Sequence, residues 1–506
     1  MMTVRRKISS LLPDTAKAMT EAALDPEVTG LCCDSRRVEA GHAFFALPGV
    51  QSDGRRFIAD ALQRGARAVV AEQPVDLPDG IAGFVVPNGR EAMAHAAALF
   101  YDDPTAGLPV VGVTGTNGKT TVTYLLESLL TAAGFSPAVL GTINYRFGGT
   151  CLPAPHTTPE STDLMATLAQ FRQEGADSLI MEVSSHALAQ HRADGVHFTV
   201  GVFTNLTSEH LDYHGDMASY FASKKRLFNL LPEAKGRAVV NIDDPYGQQL
   251  AEEIRGVLTC GRREGAAVTP ESVTLTLDGI HGRIRTPAGT FELHSGLLGE
   301  FNLENLLCAV AAGIALDLPV EIIEKGIRQA PGVPGRLERI ENNKGAVILV
   351  DYAHTGDALD KVLSTVCRLK PRRVLVVFGC GGDRDKSKRP AMAAVAIRHA
   401  DLAIITTDNP RSEDPATIID EIEAGCRKAG GRSLSRDELG GMDKGYFIEH
   451  DRRRAIELAV SLLQPGDLLL VAGKGHEDYQ IIGSERLHFD DREQLRRSLA
   501  EQEVSE

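Results

Sequence analysis

The chain has 506 residues, more than a single hydrophobic core ordinarily organises, and its 43% apolar and 24% charged side chains are those of a globular protein with two or three domains. A net charge of −14 argues against a general nucleic-acid binder, and no apolar run reaches the roughly 18–20 residues that cross a bilayer, so membrane insertion is not expected. Eight cysteines without a C-x-x-C pair set aside zinc ribbons, redox motifs and a disulfide framework. Arg5, Arg6 and Lys7 are followed by no signal-peptide apolar stretch, so a cytoplasmic location is expected.

In chain order, the first hundred residues alternate short apolar runs (Ala43–Leu47, Ala68–Ala71, Gly83–Val86) with a helix-like Phe57–Arg64, which reads as a small α/β domain. Asp102–Gly107 is rich in turn formers and reads as a linker. Strands are then predicted at Val110–Val113, Ser178–Val183, Phe198–Phe203 and Ala238–Ile242, with a helix over Thr121–Ala133. Each strand precedes polar residues, and open α/β sheets bind ligands at strand C-terminal ends. A second break falls at Pro331–Gly335, followed by strand candidates Ala346–Val350, Arg373–Phe378, Leu402–Thr406 and Asp467–Val471 in doubly wound style. The expected architecture is three α/β domains, at 1–108, 109–333 and 334–506.

The sharpest local signal is Val113-Thr114-Gly115-Thr116-Asn117-Gly118-Lys119-Thr120-Thr121, between a strand and a helix. Glycines allow a tight turn that aims N–H groups at phosphate oxygens; the helix N-terminus, the Lys119 charge and a Thr120 hydroxyl for Mg²⁺ complete a phosphate loop. The general pattern has Gly six residues before the Lys, where this chain has Val113, so the loop is a variant. The bland alternative is a Gly-rich turn carrying a surface lysine. Glu182 ends one predicted strand and a His/Asp-rich turn, Thr204–His214, ends the next; a carboxylate, an imidazole and a Thr hydroxyl beside a phosphate loop suit Mg²⁺. Taken alone, His210 and His214 read equally as hydrogen-bonded loop histidines, and the Glu of a zinc His-Glu-x-x-His motif is absent.

Gly-Thr-Asn-Gly-Lys-Thr-Thr resembles the loop of the Mur ligases and of the related folylpolyglutamate synthetases. Glu182-Val183-Ser184-Ser185-His186, Thr204-Asn205-Leu206-Thr207 with His210-Leu211-Asp212-Tyr213-His214, and Tyr220-Phe221-Ala222-Ser223-Lys224 resemble successive Mur ligase motifs in family order. The resemblance implies an N-terminal uridine-binding domain, a central P-loop ATPase-like domain and a C-terminal Rossmann-like domain. It implies catalytic Lys119, Glu182, His210 and Lys224, with Glu182 and His210 on Mg²⁺, Thr120 on the nucleotide's Mg²⁺, and Lys224 ligating metal as a carbamate. Lys225 is adjacent, and only the spacing from Tyr220 favours Lys224. It further implies ATP contacts at Gly115, Thr116, Asn117, Gly118, Lys119, Thr120, Thr121, Asn302, Arg336 and Asp351. A UDP-muramoyl peptide is implied at Ser35, Thr157, Thr158, Ser184, Gln190 and Arg192, with His156 standing where some relatives have Asn.

In the last third, Asp351-Tyr352-Ala353-His354-Thr355, Gly379–Lys386, Lys388-Arg389-Pro390, Asp408-Asn409-Pro410-Arg411 and Gly473-Lys474-Gly475-His476-Glu477 resemble the branch of the family that adds the third peptide residue. Gly356 replaces a Pro common after the first of these motifs. The resemblance implies meso-diaminopimelate as amino-acid substrate, held by Arg389, Asp408, Asn409, Arg411, Gly473 and Glu477. Arg411 and Arg389 suit its distal carboxylate and Glu477 its distal ammonium. L-Lysine lacks that carboxylate and would leave a buried cation unpaired. The implied reaction is ATP-dependent amide ligation to UDP-N-acetylmuramoyl-L-Ala-D-Glu in peptidoglycan precursor synthesis, by a monomer. The alternatives are a lysine-adding Mur ligase, a folylpolyglutamate synthetase-like ligase, and a P-loop NTPase that only hydrolyses ATP. A NAD-binding Rossmann protein fits least, because no Gly-x-Gly-x-x-Gly opens a helix.

Overall fold

The computed structural model describes residues 4–19, 24–49, 52–234, 236–441 and 444–503. They form two compact units, Met1–Pro270 with Ile284–Phe291 and Glu304–Gln329, and Glu271–Arg283 with Glu292–Leu303 and Ala330–Glu506.

Two large sheets organise the first unit, beside a short antiparallel ladder of Arg6–Lys7 with Glu27–Val28. In the smaller, the strands Gly30–Cys32, His42–Ala46, Ala68–Ala71 and Ala82–Val85 run parallel in that spatial order, and Lys17–Ala18 adds an antiparallel edge. Their side chains are almost wholly buried, which is why they read as short uninterrupted apolar runs rather than as alternating patterns. The helix Gly89–Phe100 packs an alanine-rich face on this sheet and is capped by the Asn88 side chain, whose Oδ1 accepts from the Arg90 and Glu91 N–H groups. The expected linker is a turn tied down by Arg172, whose guanidinium donates to the Asp103, Pro104 and Ala106 carbonyls.

The larger sheet has eight strands in the order Thr150–Pro153, Asn144–Phe147, Pro137–Leu140, Ser178–Glu182, Val110–Thr114, Val200–Phe203, Arg237–Asn241, Leu258–Cys260. The last six are parallel; the first two form an antiparallel edge. Val110–Thr114 lies between Ser178–Glu182 and Val200–Phe203, with Val113 opposite both Glu182 and Val202. That register brings the C-terminal ends of three strands to one place, at the phosphate loop.

The second unit is built on a six-stranded sheet ordered Glu338–Ile340, Val347–Asp351, Leu468–Ala472, Val374–Phe378, Leu402–Ile405, Gly445–Ile448, parallel except for its first pair. Alternate residues serve opposite faces. Leu349, Val376, Ala403 and Leu470 pack with the helices Gly356–Arg368, Lys388–His399 and Pro415–Lys428. Ile348, Val377, Ile404 and Leu469 pack with Arg452–Ser461 and Asp491–Glu503. Burial on both faces is the doubly wound arrangement the sequence predicts; four of the six strands lie within a residue of the predicted ones, whereas Glu338–Ile340 and Gly445–Ile448 are not among them. A three-stranded sheet, Thr269–Thr276, Gly279–Thr286 and Gly289–Ser295, is not among the predicted elements. Among the described residues no helix is long and apolar enough to cross a membrane.

Candidate active site

The loop Gly115–Gly118 joins Val110–Thr114 to the helix Lys119–Ala132. Gly115 and Gly118 have φ of +145° and +88°, and a Cβ on them would stand 1.9 Å from Thr204 Oγ1 and 2.2 Å from Asn305 Oδ1. Only glycine fits both the conformation and the space. The loop is held from the neighbouring strand end. The Thr116 N–H donates to the Asn205 carbonyl (2.8 Å), the Asn117 N–H to Asn205 Oδ1 (2.9 Å), and Thr204 Oγ1 to the Asn117 carbonyl (2.6 Å). Lys119 curls over the loop, its ammonium donating to the Gly115 and Thr116 carbonyls at 2.9 Å each. Thr120 and Thr121 are buried in the first helical turn, where helix N–H groups point at the loop.

Lys224 and Lys225 part company on the helix Met217–Asn229. Lys224 is buried (1% exposed) and donates to the Gly115 carbonyl at 2.8 Å, whereas Lys225 is half-exposed and paired with Glu253. Burial, and then the nearby Lys119 charge, hold the Lys224 amine well below the ordinary lysine range. Glu182 is equally buried and accepts from the Thr142 N–H (2.9 Å) and Oγ1 (3.0 Å). His210, in the left-handed region at φ +57°, is edge-on to His186 at 4.9 Å and within 3.8 Å of Glu209. His186 lies among His210, Tyr213 and His214, and burial with the two neighbouring imidazoles pushes it down to about 4.

The hard oxygen donors Thr120 and Glu182 fit Mg²⁺. Lys224 as an amine does not, and would as a carbamate. No group of three or more His, Cys, Asp or Glu side chains suited to a metal occurs among the described residues. Mg²⁺ commonly takes only one or two protein carboxylates and completes its shell with water and substrate phosphates.

Five of the six residues nominated for the muramoyl peptide are linked by hydrogen bonds, Thr157 through Thr142 and Glu182; Ser35 lies apart from them. Thr157 Oγ1 meets Thr142 Oγ1 at 3.0 Å, and Thr158 Oγ1 donates to the Glu182 carbonyl at 2.9 Å and accepts from the Ser184 N–H at 3.1 Å. Arg192 donates to the Thr158 carbonyl and to Gln190 Oε1, and pairs with Glu160 at 3.0 Å; Gln190 Nε2 donates to the Tyr213 phenol. Ser35 is buried at the start of a 3₁₀ turn capped by Asp34.

In the second unit, the ends of the parallel strands carry the remaining nominated residues. Asp351 is buried and accepts from the Leu337 and Ala353 N–H groups at 2.8 Å; burial raises its carboxyl. Arg336 lies 5.0 Å over the Tyr352 ring, and the Asn302 amide donates to the Leu298 carbonyl. Asn409 Nδ2 donates to Glu477 Oε2 at 3.1 Å. Burial, then Asp408, raises the Glu477 carboxyl. Arg411 has φ +54° and donates to the Gly382 carbonyl at 2.8 Å. Gly473, φ +118°, passes within 3.7 Å of Asp408 at the position of its missing Cβ. Arg389 is placed differently from its nomination: fully buried, its guanidinium is taken up by Glu421 (2.7 Å) and Glu413 (2.9 and 3.0 Å). Two buried cations escaped notice in the sequence, Lys474 against Asp408 (3.3 Å) and Arg452 against Asp491 (2.6 Å). Lys474 stood within a quoted motif; Arg452 carries no signal that separates it from its neighbours Arg453 and Arg454.

A phosphate loop at the switch point of one parallel sheet, and paired charges at the strand ends of a second, are the build of an ATP-dependent amide-forming ligase. Family models match along the chain: the Mur ligase family catalytic domain at residues 27–103, the Mur ligase middle domain at 113–313, and the Mur ligase glutamate ligase domain at 335–475. A relative from Geobacter metallireducens is 54% identical over 93% of each chain, and one from Thermosynechococcus vestitus is 43% identical over 96% of this chain and 97% of its own. Both are named UDP-N-acetylmuramoyl-L-alanyl-D-glutamate–2,6-diaminopimelate ligase. A solved structure of an enzyme of that name superposes with a TM-score of 0.73 at 32% identity, covering 99% of both chains. MurF from Acinetobacter baumannii shares the fold, with a TM-score of 0.59 at 21% identity over 88% of this chain and 90% of its own. The chain belongs to the Mur ligase family, with that family's three-domain α/β architecture.

Proposed function

We propose that this ligase joins meso-diaminopimelate to the D-glutamyl γ-carboxylate of UDP-N-acetylmuramoyl-L-Ala-D-Glu, consuming ATP, in peptidoglycan precursor synthesis. What carries the reading is identity of 43–54% over nearly the whole chain to enzymes named for that reaction. The grouping of Arg411, Asn409 and Glu477 supports it, since a cation and a carboxylate together match a distal amino-acid head. The boundaries near 108 and 334 are part of the same proposal.

In the first step the γ-carboxylate attacks the γ-phosphate of ATP, giving an acyl phosphate and ADP. In the second the amine of diaminopimelate attacks the acyl carbon and phosphate leaves. Lys119 and the N–H groups of the loop and helix terminus neutralise charge on the transferring phosphoryl group. Thr120, Glu182, His210 and carbamylated Lys224 would hold Mg²⁺, which supplies further charge neutralisation when bound. Ser35, Thr157, Thr158, Ser184, Gln190 and Arg192 hold the nucleotide-linked peptide, and Asn302, Arg336 and Asp351 take part in holding ATP. Burial of the Lys224 amine supports its choice over Lys225, since CO₂ adds to a neutral amine and not to an ammonium.

The test is phosphate release from ATP, Mg²⁺ and UDP-N-acetylmuramoyl-L-Ala-D-Glu with either meso-diaminopimelate or L-lysine. Release with diaminopimelate alone is the expected result. Release with lysine alone overturns the substrate, and release without any amino acid overturns the ligase.

A further inference from the structure

Lys474 is the first residue after Gly473 in the loop that leaves the strand Leu468–Ala472, and it is completely buried. Its ammonium donates to the Tyr479 carbonyl at 2.6 Å and to Asn409 Oδ1 at 3.1 Å, and lies 3.3 Å from Asp408 Oδ1. Asp408 and Asn409 belong to the loop after Leu402–Ile405, and Val374–Phe378 separates the two strands in the sheet. Lys474 therefore ties the start of one loop to the other, while the backbone bridge Arg411↔Ile482 joins them only further along.

The chemistry of the contact fixes more than distance. An ammonium has three donors and no acceptor, so Asn409 must turn its oxygen toward Lys474. The Ile481 N–H, also only a donor, reaches the same oxygen at 3.0 Å. With Oδ1 held by two obligate donors, Nδ2 points to Glu477 and donates to Oε2 at 3.1 Å. Amide orientations are inferred from their partners, and here the partners allow one solution.

We propose that Lys474 is a positioning residue for the amino-acid substrate: it locks the Asn409 amide so that the Glu477 carboxylate is held for the substrate's distal ammonium. This rests on the reading of the second unit as the diaminopimelate site. Lys474 itself touches no reacting atom.

The experiment uses the full-length enzyme. It measures steady-state phosphate release against diaminopimelate, and single-turnover ADP formation from ATP and the UDP-muramoyl dipeptide without amino acid. Lys474→Met raises the KM for diaminopimelate about tenfold or more, with kcat within about threefold and ADP formation unchanged. Lys474→Arg, still a pure donor, recovers most of the KM. An unchanged KM in Lys474→Met, or a loss spread equally over KM, kcat and ADP formation, overturns the proposal. Should Lys474→Met not fold, the Lys474→Met/Asp408→Asn double variant removes the unpaired charge and is compared with Asp408→Asn. A KM ratio of about ten between them supports the lock, and a ratio near one overturns it. A wild-type enzyme that ignores diaminopimelate overturns both readings, whereas an active wild type with an unaffected Lys474→Met overturns only this one.

Discussion

Lys224 and Lys225 show how far a single position separates two chemistries. One helical step turns Lys224 into the protein against the Gly115 carbonyl and leaves Lys225 at the surface with Glu253. Lys224→Ala is expected to lower kcat by about 100-fold, the scale of losing one charge-stabilising group at a transferring phosphoryl centre, while Lys225→Ala stays within about twofold. Initial rates of phosphate release for the two variants decide it, and equal rates would remove Lys224 from the mechanism. Arg411 carries the substrate choice. Arg411→Ala should lower kcat/KM for diaminopimelate by an amount equivalent to about 2–5 kcal/mol and raise lysine use, because only diaminopimelate brings a carboxylate to the guanidinium and lysine leaves it unpaired. The measurement is the ratio of kcat/KM for the two amino acids, and a constant ratio argues against that contact. The motif resemblance places Arg389 beside Arg411 at the substrate's distal carboxylate. Its partners Glu413 and Glu421 lie 24 and 32 positions further on, a pairing the chain shows only once two helices pack.

At the scale of elements, the phosphate loop depends on a backbone that no side chain tolerates. Gly115→Ala places a methyl 1.9 Å from Thr204 Oγ1 at a φ of +145°, so both strain and overlap act. It should cost about 1–3 kcal/mol of stability and abolish nucleotide binding. Gly134→Ala is the control: its φ is +89° but nothing lies within 4 Å, so it should cost about 1 kcal/mol and keep activity. Thermal shift with and without ATP separates them, and retained ATP stabilisation in Gly115→Ala would contradict the account. Parallel strands were legible because burial on both faces writes an apolar run, as in Val110–Thr114 beside this loop and Val374–Phe378 in the second unit. The sheet over Thr269–Ser295 was not. Its strands bury one side only, and polar residues such as Glu271, His281 and Glu292 break the apolar signal. The motif residues are legible because the family resemblance marks them, Lys474 among them though without a role; the buried Arg452 looks in sequence like any surface arginine.

At the scale of the whole molecule, acid stability offers a test that needs no substrate. His476 is partly buried, its Nδ1 is shut off from solvent without a hydrogen-bond partner, and its ring lies 5.2 Å from Tyr352. Burial, then the charges of Arg336 and Arg492, push it from 6.5 down to about 4. Between those two values the unfolded chain binds a proton that the folded chain refuses, so stability rises with pH across the window. The contribution is fully present above about pH 6.5 and is lost as pH falls toward 4. Asp351 and Glu477 oppose it, because burial raises their carboxyls and the folded chain then binds the extra proton. The difference between wild type and a His476 variant across that window isolates this imidazole. With no Trp in the chain, melting is best followed by circular dichroism or calorimetry. Wild-type Tm should fall from pH 7 to pH 5, and His476→Gln should fall less over the same interval while His186, also near 4, preserves part of the slope. Parallel curves for the two proteins would mean that His476 is protonated in the folded state at pH 5, and that Arg336 and Arg492 do not exclude the proton from it.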